Sequence, residues 1–299
     1  MAHIRRAAVA GRWYPQSPQA LAEAVDGYLA QANGAVGAGG DLQGELAAIV
    51  SPHAGLIYSG PVAAHAYRLL RNRRFDVAVL VGPSHFVGFD GVAVVPSGGF
   101  ETPFGVARID AACASDVMAA TPIVRELASA HAREHSLEMQ LPFLQHLAPD
   151  AMIVPLVMGH QTAGTARALG EALATALRGR RALLVASTDL SHYQDAATAA
   201  TLDRVVIDCV SRFDAEGLQD ALNVRPEHAC GGGPTVAVMR AARRLGAVDA
   251  VVLNYADSGD VSGDKSSVVG YMAAAFGNFS NATTVERNAT TKARRHEEE

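Results

Sequence analysis

The sequence predicts an α/β fold, a three-layer α/β/α sandwich around a mostly parallel or mixed central sheet. Two observations point there. Continuous Val/Ile/Leu/Ala runs of strand length recur along the chain, as in strands covered on both faces by helices. Segments with helical apolar spacing alternate with those runs. The first element is a helix in SPQALAEAVDGYLAQA, where Leu21, Val25 and Leu29 recur four apart, Ser17 is placed to cap it and Pro18 fits its first turn. A Gly-rich surface loop, NGAVGAGGDLQG, follows. Strands are expected at 46–51, 77–82, 92–95, 152–157, 182–187, 250–255 and 267–273. Helices are expected at 60–71, 110–120, 133–147, 163–178, 196–211 and 234–245. Residues 1–277 read as one domain, and 278–299, rich in Asn, Thr and charge, as a polar tail in which His296 is surface decoration.

Composition narrows the function classes. A net charge of -5 with no concentrated basic face argues against nucleic acid, and RNRR at 71–74 is only a short charged turn. No apolar stretch is long enough to span a bilayer, and MAHIRRAAVAGRWYP lacks the apolar centre of a signal peptide, so a cytoplasmic protein is expected. The three cysteines have no paired spacing, which excludes a disulfide framework. Cys113 and Cys209 lie in apolar helical contexts, where a thiol acts as a small hydrophobe. Cys230 sits instead in a loop, ACGGGP.

The informative pattern is the repeated ending of an apolar strand in Pro and His: LAAIVSPHAG with His53 and VAVLVGPSH with His85. In open α/β sheets such strand ends hold ligands and catalytic groups, and the flanking Gly and Pro keep bulk away. Each imidazole alone has a plainer reading, a strand-end histidine bonded to backbone. Together with Cys230 they suggest a mononuclear metal site of two imidazoles and one thiolate, a donor set that favours iron, zinc or copper(I) over magnesium and calcium. ALLVASTDLSHY adds Asp189 and His192, an acid/base pair three apart if the segment turns into helix, with Tyr193 as an added donor. The plainer reading there is an Asp189 helix cap over a packed His192. In REHSLEMQLPFLQHL, His135 and Glu138 share a helical face as a hydrogen-bonded pair supporting a neighbouring loop, and His131 extends the spacing. Trp13 and Tyr58 are candidate pocket aromatics, and Tyr255, Asp257 and Ser258 candidate rim residues. His65, His146, His160 and His228 read as structural or exposed, with His228 closest to the cysteine loop.

GRWYP, PHAGLIYSG, GPSHFVGFDGVAV, TPFG, EHSLEMQLPFLQ, VPLVMG, STDLSHY, CGGGP and YADSGDVSGDKSSVVGYMA occur in this order over roughly residues 11–276. This series resembles the Memo family, whose bacterial members are called protein B of the AmmeMemoRadiSam system. The resemblance implies a fold similar to class III extradiol ring-cleaving dioxygenases. It also implies metal ligation by His53, His85 and Cys230, with Asp189 and His192 in the pocket. The family departs from the extradiol enzymes in using Cys where they use Glu. It further implies AMMECR1-like and radical SAM protein partners.

Three functions follow as expectations. The first is an Fe(II)-dependent dioxygenase acting on a catechol-like aromatic diol and O2, with His192 as acid or base tuned by Asp189. The second is a non-catalytic protein holding a metal such as copper, or a peptide, for those partners. The third is a zinc-dependent hydrolase.

Overall fold

The computed structural model describes residues 4–34 and 42–280. His296, most of the polar tail and most of the Gly-rich loop lie outside the described residues. In chain order the elements begin with β1 (Ile4–Arg5), α1 (Pro18–Gly34), β2 (Gly44–Ser51), α2 (Leu56–Tyr67), β3 (Val77–Pro83) and β4 (Val92–Val94). A hairpin of β5 (Gly99–Thr102) and β6 (Gly105–Arg108) leads to α3 (Ala111–Ala120), β7 (Val124–Glu126), α4 (Ala128–His131) and α5 (Leu141–Leu147). Then come β8 (Met152–Met158), α6 (Ala163–Ala176), β9 (Ala182–Ser187), β10 (His192–Gln194), α7 (Ala196–Ser211) and α8 (Ala215–Val224). The last are α9 (Gly232–Arg244), β11 (Asp249–Asp257), α10 (Gly259–Ser262) and β12 (Val268–Phe279).

Nine strands form the main sheet in the order β10-β12-β2-β9-β3-β8-β4-β7, with β11 also paired to β12. Strands β2, β9, β3 and β8 run parallel, while β12 and β4 are antiparallel to their neighbours β2 and β8. The sheet is therefore mixed with a parallel centre. All seven residues of β3 are buried, which is why its sequence is a continuous apolar run. Helices α1, α2 and α5 cover one face and α3, α6, α7, α8 and α9 the other. On α1 the predicted stripe of Leu21, Val25 and Leu29 is fully buried, and Ser17 Oγ accepts the Ala20 amide at 3.4 Å. No helix among the described residues is long and apolar enough to cross a membrane.

Three expectations need correcting. The helix expected over 133–147 is a loop as far as Leu137, a 3-10 turn at Glu138–Gln140 and only then α5. The Glu134 carboxylate explains the loop, because it accepts the amides of His135 (2.9 Å) and Ser136 (2.8 Å) and offers that backbone an alternative to helix. His135 and Glu138 consequently share no helical face. Asp189 and His192 do not enter a helix either: His192–Gln194 is the short strand β10, and α7 starts later, capped by Asp195. Finally, β12 continues to Phe279, past the composition break placed after 277. The β5–β6 hairpin, which joins β1 in a separate three-stranded sheet, and helix α8 were not anticipated.

Candidate metal centre

Because β9 lies between β2 and β3 and all three run the same way, Ser51, Ser187 and Pro83 end at one sheet edge. His53 and His85 follow two of those ends and Asp189 the third. The Thr188 amide still donates to Ser51 O at 3.0 Å, and the His53 amide donates to Asp189 Oδ1 at 2.7 Å, so the two loops are locked together. Cys230 comes from the turn before α9. Its amide donates to Asp189 O at 3.2 Å, and the Gly231 amide donates to Thr188 Oγ1 at 2.9 Å. Glycine is required here: a Cβ on Gly231 would lie 2.2 Å from Ser187 O.

The result is that one ligand atom each from His53, His85 and Cys230 falls within 4.8 Å of the others, with Cys230 Sγ 3.3 Å from His53 Nε2. The hydrogen bonds behind the imidazoles fix which nitrogen faces the site. Ser187 has one hydroxyl proton, donated to Ser136 O at 2.7 Å, and one lone pair is taken by Gln140 Nε2 at 2.8 Å. Its remaining lone pair can only accept, so His53 Nδ1, 2.9 Å away, carries the proton and Nε2 presents its lone pair. His85 is set the same way, with Nδ1 2.9 Å from the Glu134 carboxylate. Orienting partners of this kind are what metal-binding histidines use. The donor set therefore fits a thiophilic or borderline divalent ion such as Fe(II), Zn(II) or copper.

Electrostatics agree with a site that waits for a cation. Burial, then the neighbouring His85, holds the His53 imidazole well below its ordinary pKa and hence neutral. Burial, then the Asp189 charge, pushes the Cys230 thiol upward, so the sulfur needs a positive charge beside it to ionise. Asp189 is also raised by burial, against the pull of the His53 amide. His192 is lowered by burial against Asp189, and its Nε2 is buried with no hydrogen-bond partner. Its charge interacts with those of His53, His85 and Asp189, so it lies in their neighbourhood, although it belongs to neither close group of potential ligand atoms.

His85, Glu134 and His135 form a second close group. Glu134 does not act as a ligand there, since Oε2 takes the His85 amide at 2.6 Å and Oε1 takes His85 Nδ1 and two backbone amides. Those bonds hold its carboxyl down at about 2, against burial, which raises it. The His135 ring stacks on His85 at 4.5 Å and meets Trp13 at 4.3 Å.

Other sequence candidates fall elsewhere. Glu138 is fully buried and belongs to neither close group. Its carboxylate accepts from Arg5 (2.6 Å), the amides of Ala8 and Val9, and Tyr14 Oη (2.7 Å), which pins the N-terminal segment. Tyr193 is 76% exposed with φ +61° and lies beside His192, and Tyr58 is exposed. His131 packs against Phe100 and takes no part in either group. Asp257 pairs with Lys265 at 2.8 Å and Tyr255 with Asp203 at 2.9 Å, in structural contacts. His146 and His160 pair with Asp26 and Asp90, His228 bonds Leu202 O, and His65 is buried in α2. Sequence reasoning missed Glu134, Ser187 and Gln140. Only Ser187 carried a local signal, as the one polar residue of the apolar strand ALLVAS.

Comparison with known proteins shows the family of the chain. A MEMO1 family protein of Methanothermobacter thermautotrophicus is 38% identical over 273 residues, covering 90% of this chain and 98% of that protein. One from Nitrosopumilus maritimus is 34% identical over 277 residues, with 91% and 99% covered. One from Methanopyrus kandleri is 36% identical over 282 residues, with 91% and 98% covered. The family model described as "Memo-like protein" matches residues 5–275, and the chain belongs to the Memo family.

Proposed function

We propose that this protein is a non-haem Fe(II)-dependent oxidoreductase of the ring-cleaving dioxygenase type, acting on a catechol-like aromatic diol. The observation that carries the reading is the convergence of two outward-facing imidazole lone pairs and a thiol beside His192, whose buried Nε2 has no partner. His53, His85 and Cys230 would hold the ion, which when bound supplies Lewis-acid activation of a diol and redox chemistry with O2. His192 is kept neutral by burial and can take a proton from a substrate hydroxyl at Nε2. The Asp189 carboxylate favours the imidazolium that results, and its bond to the His53 amide keeps it in place. Fe(II)-reconstituted protein is expected to consume oxygen with a catechol. His192→Ala should lose turnover by about 10²-fold or more while retaining metal. Absence of oxygen uptake across a broad catechol panel would sink the proposal. Zinc in anaerobically purified protein would turn the reading toward hydrolysis, and copper without turnover toward a binding role beside AMMECR1-like and radical SAM partners.

A further inference from the structure

Of the three residues that would hold the ion, Cys230 has the least support from the sheet. His53 and His85 follow the ends of buried strands, whereas Cys230 stands in the turn before α9 and is followed by three glycines. Successive glycines leave a turn little stiffness of its own, so contacts from outside must fix the direction in which the sulfur points. The Cys230 amide on Asp189 O and the Gly231 amide on Thr188 Oγ1 hold two points of the turn. A third hold comes from Gln161. Its side chain grips the turn with both ends of the amide: Nε2 donates to Cys230 O at 2.7 Å, and Oε1 accepts the Gly233 amide at 2.8 Å.

The peptide plane between Cys230 and Gly231 is therefore held from both edges, its carbonyl by Gln161 and its N–H by Thr188. With the Cys230 amide bound as well, the backbone at this residue cannot turn, and the Cα–Cβ bond that carries the sulfur is fixed. Gly233 makes the grip possible, since a Cβ there would lie 2.9 Å from the Cβ of Gln161. Gln161 is itself firmly placed. Strand β8 ends at Met158, level with Pro83 at the sheet edge that carries the site, and is the one strand of the parallel centre that sends no candidate ligand or acid/base group there. The loop after it is tied down by the Gly159 amide on Gly91 O (3.0 Å) and the His160 amide on Phe89 O (2.8 Å). Gln161 thus carries the position of a fourth strand end to the cysteine turn.

We infer that Gln161 is the positioning residue of Cys230 and sets the sulfur for the ion. The inference rests on the reading of Cys230 as a metal ligand. The competing role is local: Gln161 Oε1 takes an amide of the first turn of α9, whose cap residue, Gly231, offers no side chain. Two substitutions separate the roles. Gln161→Met keeps the length of the side chain and loses both hydrogen bonds. Gln161→Glu keeps an acceptor for the Gly233 amide, and a carboxylate is favoured at a helix N-terminus, but it loses the donor to Cys230 O. Gln161 is partly exposed, so both variants should fold, as the melting temperature of the metal-free protein checks.

The probe is Co(II), titrated into the metal-free full-length protein and its variants, because thiolate-to-cobalt charge-transfer absorption reports the sulfur bond directly. Both Gln161 variants are expected to bind Co(II) roughly tenfold more weakly and to show a smaller charge-transfer band per bound ion, and Cys230→Ser to lack the band. The added negative charge of Gln161→Glu by itself favours a cation, so weaker binding in that variant points to the lost hold on Cys230. Unchanged affinity and band in Gln161→Met, or weaker binding with an undiminished band, would overturn the inference. So would a loss in Gln161→Met alone, with Gln161→Glu like the unsubstituted protein, which would leave Gln161 as a helix cap. Failure of the unsubstituted protein to take up Co(II), or a band that persists in Cys230→Ser, would strike the ligand set itself and the inference with it.

Discussion

Glu134 shows how much of the candidate metal site lies behind the residues that would hold the ion. One carboxylate fixes the His85 ring and its amide and also turns the backbone at His135 and Ser136. Glu134→Gln should therefore lower metal affinity by about 10- to 100-fold while leaving all three ligands in the chain, as metal titration by calorimetry can measure. Ser187→Ala tests the same logic at His53, whose Nδ1 proton would lose its acceptor. His53 and His85 stood out in the sequence because Pro and Gly mark the strand ends that carry them, and Cys230 because it lies in a Gly-rich loop. The roles of Glu134, Ser187 and Gln140 arise from partners 47 to 134 residues away, which the sequence around them does not reveal. Glu138 illustrates the reverse error: its spacing from His135 looked meaningful, but its real partner is Arg5, 133 residues earlier.

At the scale of elements, long buried strands were easy to read and short or polar ones were not. The strands from β2 to β9 that form the parallel centre are near-continuous apolar runs, so their pattern is unmistakable. The segment 133–137 has helical spacing, but its backbone amides are claimed by a side chain, and Pro142 marks the true start of α5. One buried element carries a pH signature. His131, closing α4, is lowered to about 4, by burial first and by Arg5 among the remaining charges. Between that value and the ordinary 6.5 the unfolded chain binds a proton that the native chain refuses. Its contribution is thus complete above pH 6.5 and is lost as pH falls toward 4. His131→Phe, beside Phe100, should flatten the fall in stability over that window, by up to about 3 kcal/mol. Urea midpoints measured at several pH values provide the check; an unchanged slope would contradict it.

For the whole molecule, the order of strands matters more than their number. Layers around a mostly parallel or mixed sheet were predictable from alternation. The neighbour order was not, since it depends on crossovers that leave no mark in any one segment. That order brings residues 53, 85 and 230 to a common edge, so the centre exists only in the folded chain. Metal should then bind the native state in strong preference to the unfolded one. Loading at about a hundredfold excess over Kd should stabilise the fold by about 2.7 kcal/mol, read as a rise of several degrees in Tm. Cys230→Ser should blunt that rise, and an equal rise in the variant would argue for a different ligand set.

The position of β12 carries one more consequence. It is the last described strand, yet it sits inside the sheet, hydrogen-bonded to β2 along one side and to β11 along the other. During synthesis β2 must therefore wait, its edge open, until more than two hundred further residues have left the ribosome. The nascent chain passes through a long interval in which that exposed edge needs shielding, and a truncated product ending before β12 should be caught by chaperones or proteases rather than accumulate.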